Sequence, residues 1–202
     1  YLVYASYTHQ LVFDWHPGDV HFCAADVGWV TGHSYIVYGP LIAGMATIVY
    51  EGLPTRPDAG IWWQIVEKYK VSVMFSAPTA VRVLKKQDPA WMKKYDISSL
   101  RYLFLAGEPL DEPTASWISR ELGVPIIDNY WQTETGWPML TAMPGVENTP
   151  VKFGSPSFPA YGYNLKLLDE VSGEEVGPGE KGVVAVLPPK FKVPNVFAPS
   201  TW

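Results

Sequence analysis

The sequence predicts an α/β fold in which a parallel sheet carries helices on both faces and a smaller β-rich subdomain follows. Short apolar segments alternate with helical segments between residues 46 and 127, a pattern typical of parallel sheets that are covered on both sides. Pro78 and Asp111 stand where two of the helices would begin, as helix-initiating residues do. After Pro138 proline and glycine become frequent, which predicts the second subdomain. A chain of 202 residues is long enough for one sizeable domain and part of another.

The first half of the chain predicts an opening helix followed by two helix and strand pairs. Apolar spacing predicts a helix over residues 1–13. The sequence Trp15-His16-Pro17-Gly18 would end this helix, because proline and glycine break helices and form turns. The next elements are predicted as helix 34–43, strand 46–50, helix 61–69 and strand 71–75.

The second half predicts two further helices on the same sheet. Pro78 is tolerated in a first helical turn and predicts helix 79–86. Asp111 is a suitable N-cap, Pro113 fits the first turn, and Gly123 would stop the helix. The corresponding elements are strand 102–106, helix 112–122 and strand 124–127.

The sequence predicts that the chain consists of three segments. Residues 1–143 form the α/β part, residues 144–188 form the β-rich part, and residues 189–202 form a tail. Within the β-rich part, strands 164–168 and 182–186 are joined by the polar turn 169–181.

The ends of three predicted strands carry the residues best suited to a ligand site. They are residues 76–78, 106–109 and 128–136. Open parallel sheets bind ligands beyond the carboxyl ends of their strands, so these three segments are expected to face one crevice.

Composition excludes several classes of partner and site. A net charge of -5 and a pI near 5.3 argue against nucleic acid and acidic membrane surfaces. Cys23 is the only cysteine, so an internal disulfide and a thiolate zinc site are excluded. This cysteine usage predicts a reducing, cytoplasmic setting, and Cys23 is expected to be a small core residue.

Residues 27–50 contain no Asp, Glu, Lys or Arg, and the run is long enough to span a bilayer. Its four glycines, Pro40 and polar residues favour instead a loop, a buried helix and a buried strand. No signal peptide or methionine opens the chain, so the beginning is expected to be a cut within a longer protein.

The segment 128–136 combines aromatic rings, hydroxyls and a carboxylate in nine residues. Tyr130 and Trp131 offer faces on which a purine could stack. Thr133 and Glu134 offer oxygens for phosphate and for a hard cation such as magnesium. The alternative interpretation is a buried aromatic corner capped by a following helix.

The segment 26–34 is glycine-punctuated and ends at a predicted helix start, where free N–H groups can bind an anion. Ordinary helix capping is the alternative. His33 is a candidate general base, with a capping or core histidine as the alternative. The sequence contains no nucleophile elbow, HExxH motif or Walker-type phosphate loop.

Three long blocks resemble one family. They are DVGWVTGHSYIVYGP at residues 26–40, AGEPLDEPTASW at 106–117 and DNYWQTETGWP at 128–138. They are similar to motifs of the short-chain acyl-CoA synthetases, of the propionyl-CoA and acetyl-CoA synthetase type, in the adenylate-forming superfamily. The resemblance covers about residues 1–188 and implies the central portion of the large domain of such an enzyme.

The resemblance implies a two-step ligase with ATP, magnesium and coenzyme A. Enzymes of this family join a carboxylate to the α-phosphate of ATP, release pyrophosphate, and pass the acyl group from AMP to the thiol of coenzyme A. The implied partners are therefore small molecules: a short-chain carboxylate, ATP and coenzyme A.

The resemblance also implies a role for individual residues. Thr133 would contact the α-phosphate, Glu134 would hold magnesium, and Thr31 would contact coenzyme A. The implied nucleotide contacts are Gly107, Glu108, Pro109, Asp128, Asn129, Tyr130, Trp131, Gln132 and Thr133, and the implied acyl pocket is Trp29, Val30, Thr31, Ala106 and Trp131.

Ala106 bears on the choice of substrate, because acetate-specialised members of the family typically carry valine there. The smaller side chain leaves room for a longer acyl tail, and one methylene in an apolar pocket is worth roughly 1–3 kcal/mol. Propionate is therefore expected over acetate, with Trp131 as a pocket floor that excludes long chains. The alternatives are an acetate-specific ligase and a non-catalytic adenylate-binding product.

Several parts of the family pattern are not found in the 202 residues. The phosphate loop is expected just before Tyr1, and the ribose-binding aspartate, the arginines after it and the C-terminal domain with its lysine are expected after the chain. The tail 189–202 does not resemble the family. The chain by itself is therefore expected to have little or no ligase activity.

Overall fold

The computed structural model describes residues 1–188, and the chain divides into two compact units. The first unit runs from Tyr1 to Phe158, and the second begins at Pro159. The subdomain boundary near residue 143 stays a prediction. The predicted tail 189–202 lies outside the described residues.

The first unit is built on a five-stranded parallel sheet with the strand order β2-β1-β3-β4-β5. This arrangement confirms the predicted parallel sheet. The strands are β1 Val20–Cys23, β2 Ala46–Ile48, β3 Val73–Ser76, β4 Tyr102–Ala106 and β5 Ile126–Asn129.

Seven α-helices in the first unit connect and cover these strands. They are α1 Leu2–Tyr7, α2 Val30–Gly32, α3 Gly39–Ala43, α4 Ile61–Tyr69, α5 Pro78–Lys85, α6 Ala90–Lys93 and α7 Glu112–Leu122. π-Helical turns follow α1 at Thr8–Val12 and join α2 to α3 at His33–Tyr38.

Two of the helices have the predicted bounds, one predicted helix begins earlier than expected, and one short helix was not predicted. For α7, the side chain of Asp111 accepts a hydrogen bond from the N–H of Thr114 at 2.9 Å, and Gly123 ends the helix in the left-handed region. Helix α4 also begins and ends as predicted. The predicted helix 34–43 begins earlier, at Val30, and the short helix α6 was not predicted.

Strand β4 has its predicted bounds, whereas β3 and β5 begin later than predicted. The N–H of Val71 bonds to the carbonyl of Val66 at 3.1 Å, so Val71 completes the end of α4 and cannot begin the strand. Pro125 has no N–H for the sheet. Ladder pairing instead extends at the other end, where Asn129 pairs with Ala106.

Strand β1 lies between β2 and β3, and it was not predicted from the sequence. Its sequence, Val-His-Phe-Cys, is four residues long and lacks the β-branched run that marks a buried parallel strand. Long-range contacts hold its beginning, since the guanidinium of Arg101 binds both carboxylate oxygens of Asp19 at 2.7 Å.

The predicted strand 46–50 is wrong in length and in burial. It forms only the three-residue strand β2, and the following Val49 is largely exposed. β2 is an edge strand with one neighbour, so less of its surface is covered than in the centre of the sheet.

Packing on the two faces of the sheet differs in character. Helices α4, α5 and α7 bury an aliphatic and tryptophan core against one face, which includes Trp63, Val66, Met74, Leu103 and Ile118. The other face is an aromatic layer, in which Phe13, His9, Tyr35, Phe75 and Phe104 are buried with ring centroids 4.8–5.9 Å apart. Helices on both faces confirm the predicted fold class.

Short antiparallel sheets complete the described chain. Strand β6 (Leu140–Thr141) pairs with β7 (Phe158–Pro159). In the second unit, β8 (Asn164–Leu168) pairs with β9 (Val183–Leu187), and their bounds are the predicted ones within one residue. Across residues 1–188, no helix has both the length and the apolar character that crossing a membrane requires.

Candidate functional site

Two adjoining cavities lie at the carboxyl ends of the parallel strands, where open α/β sheets bind ligands. The larger has a volume of about 680 Å³ and is reached from the ends of β1, β3 and β4. The smaller has a volume of about 400 Å³ and is bounded by the ends of β4 and β5. The residues that line both cavities are Gly107, Glu108, Trp131 and Gln132.

Every residue that the family resemblance assigns to the site lies at one of these cavities, whereas the candidate general base His33 lines neither of them. The predicted residues that line the larger cavity and not the smaller one are Trp29, Val30, Thr31, Ala106, Thr133 and Glu134. The smaller cavity alone is lined by Pro109, Asp128, Asn129 and Tyr130. The crevice predicted from three strand ends is therefore present, whereas the roles of the individual residues stay predictions.

Several lining residues were not predicted from the sequence. Ala24 and Ala25 follow β1, and they were missed because that strand was not identified. Gly154 and Pro156 reach the smaller cavity from a loop without regular structure, and no sequence pattern marks them. The remaining additions are Asp26, Phe75, Ser76, Ala77 and Leu110, some of which lie in segments already considered for the site.

The segment after β4 forms the wall between the two cavities. Ala106 is buried, and Gly107 has φ +98°, a left-handed conformation that favours glycine. The carboxylate of Glu108 accepts hydrogen bonds from the N–H of Thr79 at 2.7 Å and from Nη1 of Arg82 at 2.9 Å. Burial raises the pKa of Glu108, but the hydrogen bonds from Thr79 and Arg82, together with the charge of Arg82, outweigh it and leave the pKa below its ordinary value.

Both oxygens of Glu108 thus bind the protein itself. The nucleotide contact predicted for Glu108 would therefore come from its backbone or its methylene groups. Arg82 was not predicted from the sequence, because its partners are 26 or more residues away along the chain.

Two polar residues at the end of β5 have an unusual environment. Burial raises the pKa of Asp128 to about 6, against the opposing effect of a hydrogen bond from the backbone of Asn129. Asn129 is only 3% exposed, and its side-chain Nδ2 and Oδ1 have no hydrogen-bond partner among the described residues. A buried amide without partners is costly, so this position favours a ligand that has both a donor and an acceptor.

The segment after β5 is a braced loop. The hydroxyl of Thr135 donates to the carbonyl of Gln132 at 2.9 Å and accepts from its N–H at 3.1 Å. Trp131 is buried against Tyr35, with ring centroids 5.5 Å apart, whereas Thr133 and Glu134 are exposed. The alternative interpretation was an aromatic corner capped by a following helix. The helix of that interpretation is wrong, because turns follow this segment.

The segment after β1 forms the opposite wall of the larger cavity. Trp29 is 70% exposed and precedes the helix that begins at Val30. The N–H of Gly28 donates to the carboxylate of Asp26 at 2.7 Å, which fixes the turn before that helix. His33 is exposed, so its interpretation as a core histidine is wrong.

A magnesium site at Glu134 would use a single protein carboxylate. Within residues 1–188, no group of three or more His, Cys, Asp or Glu side chains is placed to hold a metal ion. Magnesium commonly binds through one or two carboxylates together with substrate phosphates and water. An exposed carboxylate at the mouth of a cavity fits that kind of coordination and does not fit a metal cage made by the protein alone.

Comparisons with known proteins relate the whole described chain to one family. The model of the AMP-binding enzyme family matches residues 1–190. A propionate–CoA ligase of Escherichia coli strain K12 is 61% identical over 192 residues, which cover 94% of this chain and 31% of that protein. An acetyl-coenzyme A synthetase of Rhodobacter capsulatus is 49% identical over 92% of this chain and 29% of that protein.

Among solved structures, the crystal structure of a Brucella canis acyl-CoA synthetase matches with a TM-score of 0.81 and 36% identity. The match covers 92% of this chain and 33% of that one. The chain therefore spans about 30% of the length of the relatives named here.

Proposed function

The chain belongs to the AMP-binding enzyme family, and on that premise we propose that it forms the ligand-binding centre of an AMP-forming short-chain acyl-CoA ligase, with propionate as the preferred acid. The observation that carries the proposal is the convergence of residues 29–31, 106–109 and 128–134 on two adjoining cavities. In the first step a carboxylate oxygen attacks the α-phosphorus of ATP and pyrophosphate leaves. In the second step the thiol of coenzyme A attacks the acyl carbon and AMP leaves.

The smaller cavity is proposed to bind the adenine. Gly107 has no side chain, so the backbone after β4 can approach a flat base closely. The unpartnered amide of Asn129 can both donate to and accept from the edge of a purine. Tyr130 adds an aromatic side chain to the same cavity.

The phosphates are proposed to lie in the larger cavity beside the braced loop. Thr133 and Glu134 are exposed there, with a hydroxyl and a carboxylate available to a ligand. Glu134 would hold magnesium together with phosphate oxygens, and the ion would reduce the repulsion between the reacting anions. The contribution of this chain is to position the charged reactants.

The acyl chain is proposed to lie between Ala106 and Trp131, both of which are buried at the larger cavity. Alanine leaves space for one more methylene than valine does, and this supports propionate. Thr31 lines the same cavity, whose volume of about 680 Å³ also leaves space for the thiol-bearing arm of coenzyme A. Acetate is the second candidate, because an acetyl-coenzyme A synthetase is also among the relatives.

Calorimetry of the 202-residue chain tests this proposal. The ligands are a non-hydrolysable analogue of propionyl-AMP, the corresponding acetyl analogue, and AMP as the reference. We expect the propionyl analogue to bind most tightly. Ala106→Val should weaken its binding about tenfold or more and should reverse the preference between the two acyl analogues.

Two further variants make the test specific. Ala46→Val adds the same methyl groups at an exposed position on β2 and should leave binding unchanged. Trp131→Ala should abolish discrimination between acyl analogues, provided that near-ultraviolet circular dichroism shows a folded chain. A folded chain that binds neither AMP nor the acyl analogues would contradict the proposed function, and a preference for the acetyl analogue would favour the second candidate.

A further inference from the structure

Arg82 connects the helix after β3 to the segment after β4. It lies in α5, and its side chain is about one-third exposed. Its guanidinium reaches three successive parts of the segment 108–111. Nη1 donates to the carboxylate of Glu108 at 2.9 Å, Nη2 to the carbonyl of Pro109 at 2.8 Å, and Nε to the carboxylate of Asp111 at 2.9 Å.

The residues that Arg82 binds are tied to the ends of two helices. Glu108 also accepts from the N–H of Thr79 in the first turn of α5, and Asp111 also accepts from Thr114 in the first turn of α7. The hydrogen bond from Thr114, together with the contacts from Arg82, lowers the pKa of Asp111 to about 2, so this partner is charged at neutral pH. Arg82 therefore fastens one segment to the starts of both helices.

The segment that is held in this way forms the wall between the two cavities. Gly107 and Glu108 line both of them, and Pro109 and Leu110 line the smaller one. A planar guanidinium that satisfies two carboxylates and a carbonyl fixes distance and angle together, which a single point charge cannot do.

We propose that Arg82 is a positioning residue of the nucleotide site, which holds residues 107–110 in the conformation that lines the adenine cavity. This inference rests on the proposed function for the identity of the ligand. Arg82 itself lines neither cavity. It acts through the backbone that it holds. Because this segment is already ordered before the ligand binds, less conformational entropy is lost on binding.

Two measurements on the 202-residue chain test the inference. The first needs no ligand: hydrogen–deuterium exchange, followed by mass spectrometry on peptides that cover residues 107–111. Arg82→Gln should increase exchange there about tenfold, because the segment opens more often once the charge-assisted hydrogen bonds from Arg82 that hold it are lost. Arg82→Lys keeps the positive charge but lacks the planar guanidinium with its several donors, so it should increase exchange less than Arg82→Gln does.

The second measurement is the calorimetric titration with AMP and with the propionyl-AMP analogue. Arg82→Gln should weaken both ligands about tenfold, which corresponds to about 1.4 kcal/mol. The ratio of the two affinities should stay unchanged, because the acyl chain contacts other residues. A general loss of folded protein would instead lower the fraction of chains that bind, and it would leave the affinity of the folded chains unchanged.

Arg120→Gln is the matched control. Arg120 lies on α7 and is exposed, and its nearest carboxylate is Glu121 at 3.9 Å. This variant should change neither exchange nor affinity.

The possible outcomes separate the inference from the proposed function. Unchanged exchange at residues 107–111 in Arg82→Gln would overturn the inference. So would faster exchange with unchanged affinity, because the segment would then be held without any effect on the ligand. Failure of the unsubstituted chain to bind either nucleotide would overturn the proposed function and, with it, the ligand role of Arg82.

Discussion

At the scale of single residues, Asn129 shows a conflict between stability and binding. Its amide is buried without a partner among the described residues, and a buried polar group left unpaired costs about 1–3 kcal/mol. The folded chain tolerates this cost at the edge of the smaller cavity. Proteins commonly retain such costs where a ligand supplies the missing partners.

Replacing Asn129 tests that conflict. Asn129→Leu keeps the approximate shape and removes the unpaired amide, so we expect the free energy of unfolding to rise by about 1 kcal/mol. The affinity for AMP should fall about tenfold. Urea unfolding measures the first effect and calorimetry the second. Asn148→Ala, at an exposed position, is the control, and lower stability in Asn129→Leu would show that the amide has a partner in solution.

Asp128 is expected to make stability depend on pH. Burial raises its pKa in the folded chain to about 6, above the value of about 3.9 in an unfolded chain. Between these values the folded state binds more protons than the unfolded state, so its contribution to the free energy of unfolding falls as pH rises from about 4 to about 6.

Asp128→Asn removes this titration. We expect the variant to gain stability relative to the unsubstituted chain as pH rises through that window, with the difference constant above about pH 6. Urea unfolding at a series of pH values measures it. Asp58→Asn is the control, because the Asp58 carboxylate already accepts a hydrogen bond from a backbone N–H. A stability difference between Asp128→Asn and the unsubstituted chain that does not vary with pH would contradict the expectation.

At the scale of secondary-structure elements, β1 contributes a buried histidine that lies beside a second one. It places His21 in the aromatic layer, where the ring centroid lies 5.0 Å from that of His9, and both side chains are fully buried. Burial lowers the pKa of His21 to about 3, and burial together with the charge of His21 lowers the pKa of His9 well below its ordinary value. Both rings are therefore neutral in the folded chain at neutral pH.

These buried histidines are expected to make the sheet sensitive to acid. Below the ordinary histidine pKa of about 6.5 the unfolded chain binds protons that the folded chain does not. As the pH is lowered below that value, the free energy of unfolding should decrease by up to about 1.4 kcal/mol per pH unit for each histidine.

A comparison of variants isolates the contribution of β1. His21→Gln is expected to be less stable than the unsubstituted chain at pH 7, and the gap between them should narrow at pH 5 because the variant lacks one titrating group. Unfolding in urea at both values measures the gap. His33→Gln, at an exposed histidine, is the control. A gap that is equal at both pH values would mean that His21 has the same pKa in the folded and the unfolded chain.

At the scale of the whole molecule, the first unit exposes apolar residues on neighbouring helices. They include Leu2 and Val3 on α1 and Leu41 and Ile42 on α3, with Val3 75% exposed. Contiguous exposed apolar surface favours association. We expect the isolated chain to self-associate as its concentration rises.

Charged substitutions test this expectation. Val3→Lys combined with Leu41→Lys should shift the chain towards a monomer in sedimentation-velocity experiments. Val171→Lys is the matched control, because Val171 is exposed in the turn between β8 and β9 and lies outside the apolar group. Monomeric behaviour of the unsubstituted chain at all concentrations would refute the expectation.

Local sequence patterns determined much of the fold by themselves. The bounds of α4, β4, α7 and β8 follow from apolar periodicity and, for α7, from an aspartate cap and a terminating glycine. These features depend on neighbours a few residues away, so they can be recognised in the sequence. The candidate site residues also come from the sequence, because three motifs follow strand ends and because a family resemblance assigns them, and their roles stay predictions.

Only the tertiary structure decided where β1 lies, which residues share a cavity and what holds them there. β1 is a short strand whose beginning is held by Arg101, 82 residues away. Arg82 binds a segment about 27 residues away, and the missing partners of Asn129 become evident only when its surroundings are known. Such interactions depend on distances that chain folding creates between remote residues, and local periodicity carries no information about them.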